Sequence, residues 1–186
     1  MQIKKDLRIK LKQKRKNISD KALQDKMICD NLLSCSAYID AKVVLFYAAL
    51  YDEINIDKCI ENAFLNGKRV ALPVCLDSDG NMKFYYINSL DDLSVGHFGV
   101  REPDINKCNE VLDFTDSVCI VPAIAYDKNG YRLGYGKGYY DRFLQNYAFA
   151  SIGLCYNELI TDNLPIGEYD VPVSYIITQD RTILSK

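Results

Sequence analysis

The sequence predicts one α/β domain, a three-layer α/β/α arrangement around a mostly parallel sheet, and three observations carry that prediction. Several runs of strand length are apolar throughout rather than at alternate positions, as expected of strands buried on both faces. These runs alternate with segments of helical periodicity, the order that strand–helix–strand units require. At 186 residues the chain is long enough for one sizeable core and too short for two ordinary domains, so residues 1–186 are read as a single domain.

Residues 3–16 read as a first helix with Ile3, Leu7 and Leu11 as its apolar seam. Ser19 is the expected N-cap of a second helix that runs to about Cys35. Residues 42–49, Lys-Val-Val-Leu-Phe-Tyr-Ala-Ala, form a near-continuous apolar run and the first strand. A helix over residues 56–66 follows, ended by Gly67, since glycine takes the left-handed conformation of a C′ residue without steric penalty. Residues 69–75 are the next strand. Residues 82–87 are another, and the short turn Asp77-Ser-Asp-Gly-Asn81 before them suggests a locally antiparallel excursion. Strands over residues 117–125, 149–155 and 174–178 complete the sheet, and a helix begins near Tyr139. Residues 96–109 are the longest irregular stretch, expected to edge a pocket.

Composition narrows the function classes. A hydrophobic fraction of 48% and a charged fraction of 26%, with no apolar run long enough to span a bilayer, describe a soluble protein without a membrane partner. The start, Met-Gln-Ile-Lys-Lys-Asp, is charged rather than an apolar signal core, so the cytoplasm is the expected location. A monomer is the expected state. Seven cysteines without a Cys-x-x-Cys pair argue for free, buried thiols. His97 is the only histidine, placed after Gly96 as a solvated loop residue, which leaves histidine general-base catalysis little support. A net charge of -2 argues against nucleic acid as partner of the whole molecule. Charge is nonetheless uneven: Lys4, Lys5, Arg8, Lys10, Lys12, Lys14, Arg15 and Lys16 crowd the first helix. Such a run is usually a solvated face, but the i,i+4 spacing of Lys4, Arg8 and Lys12 makes a stripe suited to a triphosphate or a polyanionic tail.

The segment Asp127-Lys-Asn-Gly-Tyr-Arg-Leu-Gly-Tyr-Gly-Lys-Gly-Tyr-Tyr-Asp141 carries the chemistry. Gly134, Gly136 and Gly138 let backbone N–H groups turn towards an anion, with Arg132 and Lys137 beside them. It is not a P-loop, because Lys137 is followed by Gly138 instead of a hydroxyl residue, and not a dinucleotide fingerprint, because Tyr139 stands at the third glycine position. It closely resembles the Arg-Leu-Gly-x-Gly-x-Gly-Tyr-Tyr-Asp signature of the 5-formyltetrahydrofolate cyclo-ligase (methenyltetrahydrofolate synthetase) family. The resemblance extends to Lys4-Lys-Asp-Leu-Arg8, Tyr51-Asp-Glu53-Ile, Val121-Pro-Ala-Ile-Ala-Tyr-Asp127 and Tyr169-Asp170.

The resemblance implies a fold of the phosphosugar-isomerase and CoA-transferase type. It implies ATP- and Mg²⁺-dependent conversion of 5-formyltetrahydrofolate, with or without a polyglutamate tail, to 5,10-methenyltetrahydrofolate. The formyl oxygen is phosphorylated, N10 closes the ring, and ADP and phosphate leave. It further implies ATP contacts from Lys4, Arg8, Arg132, Leu133, Gly134, Tyr135, Gly136, Lys137, Gly138, Tyr139 and Tyr140. Ala48, Glu53, Tyr135, Gly136, Lys137, Gly138 and Tyr139 would line the folate site, with Glu53 on the pterin. Asp141 and Asp170 are the candidate Mg²⁺ carboxylates, and Lys137, Tyr140 and Arg132 the candidate catalytic residues. Local alternatives are a helix-start carboxylate for Asp141, a turn residue for Asp170 and a surface acid for Glu53. Two other readings of the whole chain are a noncatalytic nucleotide- or RNA-binding module and a sugar-phosphate isomerase on the same fold, which would need no ATP.

Overall fold

The computed structural model describes residues 2–96 and 99–185, so His97 lies outside the described residues. Helices α1 (Gln2–Lys16), α2 (Lys21–Leu33) and the short α3 (Ser36–Asp40) precede strand β1 (Val43–Leu45). Helix α4 (Asp57–Leu65) connects β1 to β2 (Arg69–Cys75), and β3 (Met82–Ile87) returns beside β2. A small hairpin, β4 (Leu93–Val95) with β5 (Arg101–Pro103), leads to β6 (Ser117–Val121), β7 (Ala125–Asp127) and β8 (Arg132–Leu133). Then come α5 (Tyr139–Gln145), β9 (Ala150–Leu154), β10 (Ile160–Thr161), β11 (Tyr175–Ile177) and β12 (Thr182–Leu184).

The main sheet has the order β12-β11-β9-β6-β1-β2-β3 and is parallel from β11 to β2, with antiparallel strands at both edges. At its centre Val44 pairs with Val70 on one side and Val118 on the other, and all three are buried, as their β-branched, uninterrupted apolar runs demand. The chain moves one way from β1 through α4 to β2, and the other way from β6 through α5 to β9. Right-handed crossovers in opposite directions put α4 and α5 on opposite faces. The order therefore reverses between β1 and β6, and the crevice beyond their carboxyl ends is where such sheets take ligands.

The seven-residue α5 is anchored by an aromatic cluster: Phe143 lies 4.8 Å from Phe84 and 4.9 Å from Tyr147, ring to ring, with Phe114 and Phe149 beside them. That packing fixes the helix, and so the glycine loop that enters it. The cysteines are all free, six of them buried and Cys75 half-buried, as expected. Among the described residues, no helix is long and apolar enough to cross a membrane.

Four details depart from the sequence reading. The residue before α2 is Asp20, left-handed at φ 49°, with no side-chain cap, so Ser19 is not the N-cap. The helix ends at Leu33, and α3 is a separate turn. The strand expected over residues 117–125 breaks after Val121: β7 leaves the main sheet and pairs with β8 and β10, and Pro122, which has no N–H to give to a ladder, stands at the break. Only residues 43–45 of the first expected strand are paired as β1, which frees the chain beyond them for the crevice. By contrast Gly67 does close α4 in the left-handed region, at φ 70°, and its N–H bonds to Phe64 O.

Candidate active site

The crevice at the strand reversal holds a cavity of about 560 Å³. Its wall is built by four stretches far apart in sequence: Lys4 and Arg8 of α1, the segment after β1 with Ala48 and Glu53, the loop from β8 into α5 with residues 132–141, and Asp170 before β11. Every residue singled out from the sequence for nucleotide, folate, metal or catalysis lines this one cavity. The segment after β6 adds Pro122, and β2 and β3 add Pro73, Cys75 and Met82.

The glycine loop has open backbone. Gly136 and Gly138 take φ 100° and 75°, values that side-chain-bearing residues rarely adopt, whereas Gly134 is outside that region and a Cβ there would meet nothing within 4 Å. Two of the three glycines are thus required by backbone geometry. Among the described residues, the amides of residues 134–138 donate to no protein acceptor, so they are available to a ligand. Because α5 spans only seven residues, its dipole adds little beyond its first turn, and the loop amides and cations dominate the local field.

Helix α1 lies across this loop with its basic side inwards. Its buried or half-buried residues are Lys4, Leu7, Arg8, Leu11, Lys12 and Arg15, while Ile3 is 67% exposed, so the expected apolar seam is shifted around the helix. The Lys4 ammonium bonds Asp170 Oδ2 at 2.5 Å, and Arg8 Nε donates to Gly134 O at 2.8 Å, its terminal nitrogens stacked against Gly136. Lys12 sits 4.6 Å over the Tyr135 ring. Lys137 is exposed, and its ammonium enters no hydrogen bond or ion pair among the described residues.

The two candidate metal carboxylates differ in their fixing. Asp141 Oδ1 accepts from Arg132 at 2.5 Å and from Val171 N at 3.2 Å, and Arg132 also donates to Val171 O at 2.7 Å. The Arg132 guanidinium is therefore engaged by the protein, its side chain 5% exposed, and acts on the cavity through Asp141. Burial pushes the Asp170 carboxyl up, but the Lys4 ammonium, the Gly167 N–H and the Arg132 charge together hold it below the usual carboxylate range. Among the described residues, each carboxylate keeps one oxygen, Asp141 Oδ2 and Asp170 Oδ1, without a protein hydrogen bond. Two hard oxygens of this kind, beside loop amides for phosphate, fit Mg²⁺ held jointly by protein, phosphate and water.

On the opposite wall Glu53 is 9% exposed and accepts from Leu50 N at 2.9 Å. Burial raises its carboxyl above the usual range, partly offset by that N–H, the Tyr135 hydroxyl and Arg15. Tyr139 donates to Asp77 O, whereas the Tyr140 hydroxyl is buried without a partner among the described residues. Of the two tyrosines, Tyr140 is therefore the one with a donor to offer. Burial and the nearby Glu102 push the Cys75 thiol up to about 11, so a thiolate nucleophile is not provided here.

Sequence reasoning did not single out Arg15 and Asp52, which pair at 2.5 Å behind Tyr135. The signal was present: Arg15 lies four residues past Leu11, within about 40° of it around the helix, on the packed face.

Residues 1–179 match the 5-formyltetrahydrofolate cyclo-ligase family. The chain is 28% identical to the 5-formyltetrahydrofolate cyclo-ligase of Escherichia coli K12, covering 92% of this chain and 97% of that one. It is 34% identical to the Haemophilus influenzae enzyme of the same name, over 74% of this chain and 75% of that one. The solved structure of Aquifex aeolicus 5,10-methenyltetrahydrofolate synthetase superposes with a TM-score of 0.84 at 29% identity, covering 98% of this chain and 92% of that one.

Proposed function

From the premise that the chain belongs to the 5-formyltetrahydrofolate cyclo-ligase family, we propose a reaction course and a division of labour for the cavity. The enzyme is a ligase that converts 5-formyltetrahydrofolate to 5,10-methenyltetrahydrofolate. The convergence of all fifteen sequence-selected residues on one cavity at the strand reversal is the observation that carries the finer reading.

A formamide carbon is a weak electrophile and its oxygen a poor leaving group. ATP supplies the activation: the formyl oxygen attacks the γ-phosphorus and ADP departs. N10 then adds to the formyl carbon, the C–O bond breaks with its electrons to phosphate, and N10 loses its proton. Negative charge accumulates on phosphoryl oxygens throughout, so the protein's task is orientation and positive charge rather than covalent catalysis.

Lys137, Lys4, Arg8 and the loop amides of residues 134–138 face the phosphates, with Leu133, Tyr139 and the Tyr140 ring closing that end of the cavity. Asp141 and Asp170 would hold Mg²⁺, which neutralises phosphate charge when bound. Arg132 keeps Asp141 aimed and ties it to Val171. At the other end Glu53 accepts hydrogen bonds from the pterin ring, Ala48 and Tyr135 flank the ring, and the Tyr140 hydroxyl donates to the reacting oxygen. Asp170 would exchange Lys4 for the metal in this arrangement, which would free Lys4 for phosphate.

The test is direct. The chain is mixed with 5-formyltetrahydrofolate and Mg-ATP, and the methenyl absorbance is followed together with ADP and phosphate. One equivalent of each per methenyl product is expected, and turnover without nucleotide would overturn the mechanism.

A further inference from the structure

Arg15 is the most deeply buried cation of α1, 2% exposed, yet it stays behind the wall of the large cavity. Its guanidinium donates to Asp52 Oδ2 at 2.5 Å and Tyr135 OH at 2.8 Å through one terminal nitrogen, and to Ala123 O at 3.2 Å through the other. These acceptors sit on three different segments: the one after β1, the glycine loop, and the one after β6. They are the segments that bound the crevice at the strand reversal. A planar guanidinium presents its donors in a fixed fork, so one side chain ties all three loops to one another and to α1. Glu53 follows Asp52 directly and shares with Arg15 the lining of a separate small cavity of about 10 Å³.

We propose that Arg15 is a positioning residue for the folate half of the site, fixing Tyr135 and the Asp52–Glu53 segment in register without touching substrate. This rests on the reading that Glu53 and Tyr135 contact the pterin. The nucleotide half is held by other groups: Lys4 by Asp170, Arg8 by Gly134 O, and Asp141 by Arg132. Losing Arg15 should therefore divide the two substrates.

The experiment compares wild type with Arg15→Met, Arg15→Lys and Asp52→Asn. Folate affinity is measured by ligand fluorescence without nucleotide, and KM for each substrate by methenyl formation. Arg15→Met is expected to weaken folate binding and raise its KM about tenfold or more, because small misplacements of orienting groups are costly, while KM for ATP changes less than about twofold. Arg15→Lys, with the charge but no fork, should recover only part of the folate loss. Asp52→Asn, which leaves Arg15 in place with a weaker anchor, should shift folate by about threefold in the same direction, and it decides the matter if Arg15→Met does not fold. Equal losses for both substrates, full rescue by lysine, or unchanged folate affinity in Asp52→Asn would each overturn the proposal while wild type remains active. Failure of the wild type to form the methenyl product would instead overturn the reaction reading, and the proposal with it.

Discussion

Replacing Lys4 and Arg8 together by alanine is expected to raise the ATP requirement about ten- to hundredfold at a modest cost in stability. The stability cost follows from what the two cations hold in the free protein. The Lys4–Asp170 pair is only partly shielded, with side chains 25% and 23% exposed, so solvent screening limits it to about 1 kcal/mol or less. Arg8 contributes one hydrogen bond from a charged donor to Gly134 O, about 1 kcal/mol more after partial exposure. A summed loss of about 1–2 kcal/mol leaves a folded protein. The nucleotide cost is larger, because each cation gives up a protein partner for a phosphate bearing full charge. A net 0.7–1.4 kcal/mol per contact, about half the strength of a charge-assisted bond, gives roughly ten- to hundredfold for the pair. The assay is initial methenyl formation against ATP concentration at saturating folate, with denaturant unfolding alongside. The matched control is Lys5 and Lys16 to alanine, both exposed beside the packed face of α1; Lys12 is unsuitable because it covers Tyr135. If both double mutants shift the ATP requirement equally, α1 acts through its overall charge and the placement of Lys4 and Arg8 on phosphate is refuted.

Three further outcomes are expected. Glu53→Gln should raise KM for folate about ten- to hundredfold while sparing ATP. It should not lower the melting temperature of the free protein above neutral pH: burial raises this carboxyl, so the native state holds its proton more tightly than the unfolded one, and any stability from the neutral form is lost as pH rises through the folded value. Equal effects on both substrates, or a clear loss of stability at pH 8, would contradict this. Gly136→Ala should destabilise by about 1 kcal/mol or more and impair ATP use, since φ is 100° and the new Cβ would stand 3.1 Å from the Arg8 guanidinium, whereas Gly134→Ala should be near neutral in denaturant unfolding; matching losses would show the loop is not constrained as described. Chelation of Mg²⁺ should abolish methenyl formation reversibly without changing the unfolding midpoint, and Asp170→Asn should raise the Mg²⁺ concentration needed for half-maximal rate. A lowered midpoint on chelation would assign the metal a structural role.

The long apolar runs and their alternation with helices were enough to read the sheet, because burial on both faces leaves little choice of residue. What escaped were elements with no such pressure. Strands β4 and β5 are three residues each, carry Ser94, Arg101, Glu102 and Pro103, and, among the described residues, pair only with each other. Strand β12 is an edge with exposed Thr182 and Leu184. The break at Pro122 was legible as chemistry, yet the apolar residues on both sides concealed that they belong to different sheets. In the site, the glycine loop announced itself because a ligand-facing backbone requires glycine where φ is positive. Arg15 did not, since a cation in a basic run is ordinarily solvated; only its helical phase, shared with Leu7 and Leu11, marks it as packed. The hydrogen bonds from Arg132 to Val171 and from Tyr139 to Asp77 join positions 39 and 62 residues apart, and no local pattern encodes them.

The shifted seam of α1 explains why those signals were divided. A helix that covers a core presents leucines; one that covers an anion site presents cations, with only enough apolar surface to dock. Here Leu11 alone of the helix's apolar residues is fully buried and Leu7 is half-buried, while four cations share their face. Docking of α1 draws on Asp170, Asp52, the Gly134 carbonyl and the Tyr135 ring, which belong to the site or its immediate support, as well as on the Glu158 and Ala123 carbonyls. Two of these, Asp170 and the loop backbone, are the groups that metal and phosphate would engage. Two others, Asp52 and Tyr135, meet Arg15. On the proposed placement of nucleotide and metal, the Lys4–Arg8 end of the helix would exchange its contacts, whereas the Arg15 end, which lines a small cavity with Glu53, would keep them.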